Sequence, residues 1–195
     1  ELDRTGRFLA VANYTGGNYA LFPVGADGRL EPAGSVVAGK GRGPTSRQAG
    51  PHGHAVTFDA RNQFLIAIDL GIDRVLVYRF DAAAGTLQAN SPPSVALAPG
   101  AGPRPFVFHA NNRQAFVING LDSTITSLAW DAAAGAFTVI GTVSTLPAGV
   151  TASTTAEIHV HPNGRFVYGS NRGHDSIAVF GVNEDGSLKL VEIES

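Results

Sequence analysis

Histidine, arginine and glutamate side chains stand in a few short segments of this chain that could support acid–base chemistry. They are His52 and His54 in GPHGH, Arg104 in GPRP, Glu157 in TTAEIHV, and Arg172 and His174 in NRGHDS. A histidine can exchange a proton near neutral pH. An arginine binds a carboxylate or a phosphate through two parallel hydrogen bonds. These residue types favour chemistry on an anionic or carbonyl-containing small molecule, provided that the fold brings them together.

Two histidine pairs have the i, i+2 spacing that places both imidazoles on one face of a strand, as in a metal site. The pairs are His52 with His54 and His159 with His161. In the repeat described below, the first pair lies at the start of a strand and the second near the other end. They cannot easily share an ion, and Cys is absent from the chain. We therefore expect neither a metal nor another cofactor.

Composition excludes several classes of protein. The 195 residues carry a formal net charge of -2, without the basic excess of a nucleic-acid-binding protein. No run of 18 apolar residues predicts a transmembrane helix. The basic, glycine-rich run 39–50 does not join a strand to a helix, so it is not a nucleotide-binding fingerprint; we expect a loop that helps to hold an anion.

One segment recurs four times without gaps. The copies start 56, 50 and 52 residues apart and are DRTGRFLAVAN (3–13), DARNQFLIAID (59–69), HANNRQAFVIN (109–119) and HPNGRFVYGSN (161–171). Each unit predicts four short strands rich in β-branched and aromatic residues. In the second unit they cover 54–59, 64–69, 74–80 and about 94–99.

A period near 50 with four strands predicts an all-β fold, a β-propeller of four-stranded blades. The blades cover roughly 1–53, 54–103, 104–155 and 156–195. Residues 1–5 hold only the tail of a first strand, and the chain starts at Glu1 without Met. Four blades either close a small ring or form part of a larger one, whose open blade edges would favour self-association.

The propeller geometry brings the polar residues together. The first strand of each blade is innermost, and the loop that enters it lies at the same end of the ring as the loop between strands two and three. The residues expected at this mouth of the channel are His52, His54, Arg104, Glu157, Arg172 and His174.

At these residues the sequence resembles the seven-bladed propeller lactonase family, which includes propeller-type 6-phosphogluconolactonases and carboxymuconate lactonizing enzymes. The resemblance rests on GPHGHAVTF, GPRPFVF, FVINGLDSTIT and AEIHVHPNGRFVYGSNRGHDSIAVF. It implies seven blades, of which four are present, so that about 150 further residues are expected at this spacing. The chain departs from the family pattern at Pro105, usually His, and at Gly120, usually a glutamate proposed to be catalytic in the cyclizing enzymes.

The resemblance implies a metal-independent hydrolase of a sugar lactone, 6-phosphogluconolactone of the pentose phosphate route, acting in the cytoplasm without nucleic-acid or membrane partners. We expect His54 or His52 as the base, and Glu157 to orient the base or a water. Arg104, Arg172 and His174 are expected to bind the substrate, and Arg172 is also expected to take part in catalysis. Two alternatives remain: a non-catalytic binding or scaffold propeller with a degenerate site, and a carboxymuconate cyclase-like enzyme.

Overall fold

The chain folds into successive antiparallel β-sheets. The computed structural model describes residues 1–151 and 153–195, in which two three-residue 3-10 turns, Ser46–Gln48 and Leu70–Ile72, accompany the strands. The strands are β1 Phe8–Asn13, β2 Asn18–Pro23, β3 Ser35–Ala38, β4 Gly53–Phe58, β5 Phe64–Asp69, β6 Arg74–Asp81, β7 Thr86–Ala96, β8 Pro103–Phe108, β9 Gln114–Asn119, β10 Thr124–Asp131, β11 Ala136–Ser144, β12 Thr154–Val160, β13 Phe166–Arg172, β14 Ser176–Val182 and β15 Leu188–Glu194.

The sheets are propeller blades. Three of them have four strands in sequential order, β4 to β7, β8 to β11 and β12 to β15, whereas β1 to β3 form a three-stranded sheet. In that first blade the innermost strand is reduced to an isolated bridge between Leu2 and Leu9. The all-β blade architecture predicted from the repeat is therefore confirmed. Within the described residues, no helix is long and apolar enough to cross a membrane.

Hydrophobic residues are buried between blades. One cluster joins Phe8 and Tyr19 of the first blade to Leu65 and Tyr78 of the second. Two further clusters join the second blade to the third and the third to the fourth. The innermost strands β4, β8 and β12 contact one another in this order, and β1 of the first blade contacts β4. Each blade is thus fixed to its neighbour by the removal of apolar side chains from water.

The fourth strand of the second blade is longer and begins earlier than predicted. It covers Thr86–Ala96 rather than about 94–99. The preceding DAAAG segment forms a tight turn, in which the Gly85 amide donates to the Asp81 carbonyl at 2.8 Å. This strand lies at the outer edge of the sheet and is largely exposed. An edge strand tolerates residues such as Pro92 and Pro93 and shows little hydrophobic alternation. The sequence pattern therefore placed the start of this strand too late.

The first residue of each copy of the repeated segment closes the first hairpin of its blade. The Asp59 carboxylate accepts from the amides of Gln63 and Phe64, both at 2.7 Å, and Asp3 accepts in the same way from Arg7 and Phe8. In the third and fourth blades an imidazole replaces the carboxylate. Nδ1 of His109 and of His161 accepts from the amide two residues later, each at 3.2 Å.

Candidate functional site

Two sets of loops meet at one end of the blades, as predicted. In the second blade the Leu70 amide donates to the His52 carbonyl at 2.9 Å, and in the third the Gly120 amide donates to the Gly102 carbonyl at 2.7 Å. These bonds tie the loop that enters the innermost strand to the loop between strands two and three.

His52 is held between the first and second blades. Its ring stacks on Tyr14, with centroids 4.6 Å apart, and its Nδ1 donates to the Tyr14 carbonyl at 3.0 Å. Its backbone amide donates to the buried Asp69 carboxylate at 2.7 Å. Burial raises the pKa of Asp69, while hydrogen bonds from the His52 and Gly71 amides act against this rise. These contacts fix the position of His52 beside the site.

His54 lies two residues further along, on β4, and its ring is half-buried. Tyr14 meets it edge-on, with centroids 6.2 Å apart. Its Nδ1 is buried without a hydrogen-bond partner. Burial and then the charge of Arg104 lower the pKa of His54 from 6.5 to about 4; Glu157 opposes this shift and Arg172 adds to it. The imidazole is therefore neutral near pH 7, and its buried Nδ1 has no hydrogen-bond partner.

Arg104, on β8, packs across Gly120. A side chain at position 120 would collide with the aliphatic carbons of Arg104, because its Cβ would lie 3.0 Å from Arg104 Cγ and closer to Cδ. The Nε of Arg104 is buried without a partner. Burial, followed by repulsion from Arg172 and Arg47, lowers the pKa of Arg104. The guanidinium thus lies in a region with an excess of positive charge.

Glu157 and Arg172 complete the set from the fourth blade. Glu157 lies on β12, at a bulge, where its carboxylate accepts from the Ile158 amide at 3.0 Å. Arg172 ends β13 and is exposed, and its carbonyl accepts from the Ser153 hydroxyl at 2.9 Å. Both side chains act electrostatically on His54 and Arg104.

The cluster has no internal ion pair. Across residues 1–151 and 153–195, the one ion pair within 4.0 Å joins the exposed side chains of Arg29 and Asp27. Arg104 and Arg172 thus carry charges that no carboxylate neutralises at close range. Such an arrangement attracts anions.

His174 forms its hydrogen bond within its own loop. Its Nδ1 lies 2.7 Å from the Ser176 hydroxyl, which also accepts from Asn171. Its role in substrate binding therefore stays a prediction. In the part of the chain that the structure describes, no three His, Cys, Asp or Glu side chains gather as a possible metal site.

Two cavities differ in their relation to these residues. One of about 330 Å³ runs between β1 and β4 and is lined by His54, Ala55 and Val56 on one side and by Leu9 to Ala12 on the other. A larger one, of about 740 Å³, lies among the hairpin tips at the opposite end, near Asn112 and Trp130. Its lining includes none of the predicted site residues, whereas His54 lines the smaller cavity.

The site also contains residues that the sequence pattern missed. Tyr14, Asp69 and Arg47 all contact or act on the predicted residues. The loop 39–50 was expected to help hold an anion, but Arg47 was not singled out within it. Asp69 ends one copy of the repeated segment, and Tyr14 directly follows another. The sequence pattern gave no sign of their contacts with His52.

Known proteins that resemble this chain are also β-propellers. The model of the family described as "Lactonase, 7-bladed beta-propeller" matches residues 1–195. The chain belongs to this family. A Bacillus subtilis protein named 6-phosphogluconolactonase is 40% identical over 194 residues, covering 98% of this chain and 54% of that protein. One of the same name from Pectobacterium carotovorum is 36% identical over 187 residues, covering 95% and 53%.

A solved structure of this lactonase fold matches as well. The periplasmic gluconolactonase of Pseudomonas aeruginosa superposes with a TM-score of 0.92 at 35% identity, covering 100% of this chain and 55% of that chain. The chain therefore spans about half the length of the curated relatives it matches, and its four blades represent part of a seven-bladed architecture.

Proposed function

We propose that the protein of this lactonase family hydrolyses a sugar lactone, with 6-phosphogluconolactone as substrate. The observation that carries the proposal is the neutral, partly buried His54 beside arginines that no carboxylate neutralises at close range. A base and an anion-binding group are the two requirements of lactone hydrolysis. The relatives named 6-phosphogluconolactonase support the choice of substrate.

The proposed reaction uses His54 as the general base. The imidazole takes a proton from water while the water oxygen attacks the lactone carbonyl carbon. Arg172 stabilises the resulting oxyanion. The ring C–O bond then breaks, and the proton held by His54 goes to the departing alkoxide, which gives the open acid. His54 is preferred to His52 because it lines the smaller cavity and lies within electrostatic reach of Arg104 and Arg172.

The arginines also explain why a phosphorylated substrate suits the site. Arg104 and Arg172 both lower the pKa of His54. A phosphate bound by Arg104 offsets the charge of that guanidinium and therefore raises that pKa toward the working pH. A base whose pKa approaches the working pH transfers protons more effectively. Binding of the anion and activation of the base thus support each other.

The proposed substrate also indicates a pathway and a cellular compartment for the enzyme. Opening 6-phosphogluconolactone is a step of the pentose phosphate pathway. A charged phosphate ester does not cross a bilayer unaided, so we place the enzyme in the cytoplasm, where such esters are made. Its partner is the small lactone or sugar phosphate. Fractionation of cells with an antibody against the chain tests this location.

One observation favours a second candidate, a binding propeller with a degenerate site. The chain has Gly120 where the glutamate is expected, and the Arg104 side chain occupies the space over it. The absence of a glutamate at position 120 argues more strongly against the cyclase-like reaction than against lactone hydrolysis, because this glutamate is the proposed catalytic group of the cyclizing enzymes.

Kinetic assays on the full chain distinguish these candidates. His54→Ala and Arg172→Ala should each reduce kcat/KM for 6-phosphogluconolactone at least tenfold, or about 1.4 kcal/mol of transition-state stabilisation. His161→Asp and Arg29→Ala serve as matched controls, since His161 closes a hairpin as Asp59 does, and Arg29 pairs with Asp27 at the surface. Unchanged rates in both site variants would refute the proposed mechanism. A wild-type chain that binds sugar phosphate without turnover would support the binding propeller.

A further inference from the structure

A buried carboxylate outside the catalytic set connects two loops of the site. Asp73 follows the 3-10 turn Leu70–Ile72, has a left-handed backbone with φ 54°, and is only 6% exposed. Its Oδ1 accepts from Gln48 Nε2 at 2.7 Å and from the Gly102 amide at 2.8 Å, and its Oδ2 accepts from the Gly100 amide at 2.7 Å. The three donors come from the linkers on either side of the second blade.

The first linker is closed around Gln48, whose side chain is fully buried. Its Nε2 also donates to the Leu70 carbonyl at 2.8 Å, and its Oε1 accepts from the Thr45 hydroxyl at 3.1 Å. The Gly43 amide donates to the Gln48 carbonyl at 3.0 Å. Arg47 is the residue directly before Gln48 and is exposed. The anchored glutamine therefore fixes the backbone from which Arg47 projects.

The second linker leads to Arg104. Gly102 donates to Asp73 through its amide and accepts from the Gly120 amide through its carbonyl, so the backbone is held on both sides two residues before Arg104. Arg47 lies close enough to Arg104 for its charge to lower the pKa of Arg104. Asp73 thus bonds both the linker that carries Arg47 and the backbone that leads into Arg104 at the start of β8.

Other blades lack this connection in the same form. The equivalent left-handed positions are Gly17, Ser123 and Asp175. Ser123 donates its hydroxyl to the Ser153 carbonyl, and the exposed Asp175 accepts from the Gly173 amide in its own loop. Asp73 combines burial with three donors from two linkers, which a turn residue does not need in order to form a turn.

We propose that Asp73 is a positioning residue that holds the linkers 43–48 and 100–104 so that Arg47 and Arg104 bind one phosphoryl group, and that Arg47 is a further substrate-binding residue. This inference rests on the proposed function, because the phosphoryl group is that of the lactone. An asparagine at position 73 keeps the left-handed turn. Its amide, however, would face an N–H donor at whichever oxygen position it occupied.

The test compares Asp73→Asn with Asp59→Asn in the full chain. Asp59 is a buried aspartate of the same blade that caps the hairpin at the opposite end. Asp73→Asn should raise KM for 6-phosphogluconolactone about tenfold and weaken binding of 6-phosphogluconate, measured by calorimetry, by a similar factor. Values for unphosphorylated δ-gluconolactone should change less than twofold. Arg47→Ala should reproduce this dependence on phosphate, and Asp59→Asn should not.

Hydrogen exchange separates positioning from general destabilisation. Asp73→Asn should increase amide exchange in both 43–48 and 100–104, whereas Gln48→Leu, which leaves the Asp73 bonds to Gly100 and Gly102, should affect 43–48 alone. Equal losses for both lactones, or the same pattern in Asp59→Asn, would overturn the positioning role. If the wild type binds 6-phosphogluconate but does not open the lactone, the proposed function is refuted. The role of Asp73 is then tested by the affinity of Asp73→Asn for 6-phosphogluconate alone. A wild type that does not bind 6-phosphogluconate overturns both.

Discussion

At the scale of single residues, the site depends on what surrounds each polar group. His54 is proposed as the base because it is neutral near pH 7 and lines the smaller cavity, whereas the chemically identical His109 and His161 act as hydrogen-bond acceptors in hairpins. Likewise Arg104 differs from Arg29 in its burial and in having no carboxylate within 4.0 Å. Residue type alone does not distinguish these cases.

The lowered pKa of His54 makes a prediction about stability. Because folding favours the neutral imidazole, the unfolded chain binds more protons between about pH 4 and 6.5, and the free energy of unfolding rises with pH across this range. His54→Gln should remove this contribution. The wild type should therefore lose about 2–3 kcal/mol more than the variant between pH 7 and pH 4, an estimate from about 1.4 kcal/mol per pKa unit.

Urea unfolding of both proteins at several pH values measures this difference. The carboxylates titrate in both proteins, so their contributions cancel in the comparison. Parallel stability curves for the wild type and the variant would contradict the desolvated environment assigned to His54.

The repeat register predicted which residues lie at the same end of adjacent blades. It could not predict contacts that depend on three-dimensional packing. His54 and Arg104 were expected together because they occupy comparable places in adjacent blades, which depends only on chain periodicity. Arg47 and Asp73 were missed because their contacts join distant segments, such as the bond between Gln48 and Asp73, 25 residues apart. The collision between Arg104 and a side chain at position 120 also depends on three-dimensional packing.

At the scale of elements, each blade is organised by the closing of its turns. The first hairpin is closed by Asp3, Asp59, His109 or His161, each accepting from nearby amides. Strand β5 was predicted with the bounds that the structure has, because it is buried throughout and bounded by turn residues. The exposed strand β7 carries no such pattern, so its bounds were wrong.

His109 tests the role of these closing residues. His109→Ala removes the acceptor for the Asn111 amide and also the contact of Nε2 with the Gly164 carbonyl of the next blade, 2.7 Å away. The expected loss is about 1–3 kcal/mol of unfolding free energy, from two hydrogen bonds of about 1 kcal/mol each. His109→Asp should lose less, because a carboxylate closes the same hairpin in the second blade. Thermal unfolding compares the two variants, and equal losses would show that the hairpin bond contributes nothing.

At the scale of the whole molecule, the blades form an open series. Apolar side chains remain exposed on strands of the first and last blades, including Val36 on β3 at 61% and Val191 on β15 at 57%. Unpaired edge strands with apolar side chains favour pairing between chains. Self-association through these edges therefore stays a prediction for the chain described.

Sedimentation velocity measures this association. The mass of the chain should rise above that of a monomer with concentration, and Val191→Lys should reduce the rise, because a charge on an edge strand opposes pairing. Val139→Lys, on the outer strand of the third blade, adds the same charge where both neighbouring blades are present. A monomer at all concentrations, or an equal effect of both substitutions, would refute association through the terminal blades.

The hydrophobic clusters lie between blades rather than within them, and this placement bears on how such a protein can change length. A duplicated blade brings with it the half of the interface that its neighbour already matches, so a gain or loss of one repeat unit leaves the existing interiors intact. Blade number in this architecture is then limited by closure of the ring. The hydrophobic clusters between blades do not set this limit, because duplication of a blade also copies the apolar residues that form its interface.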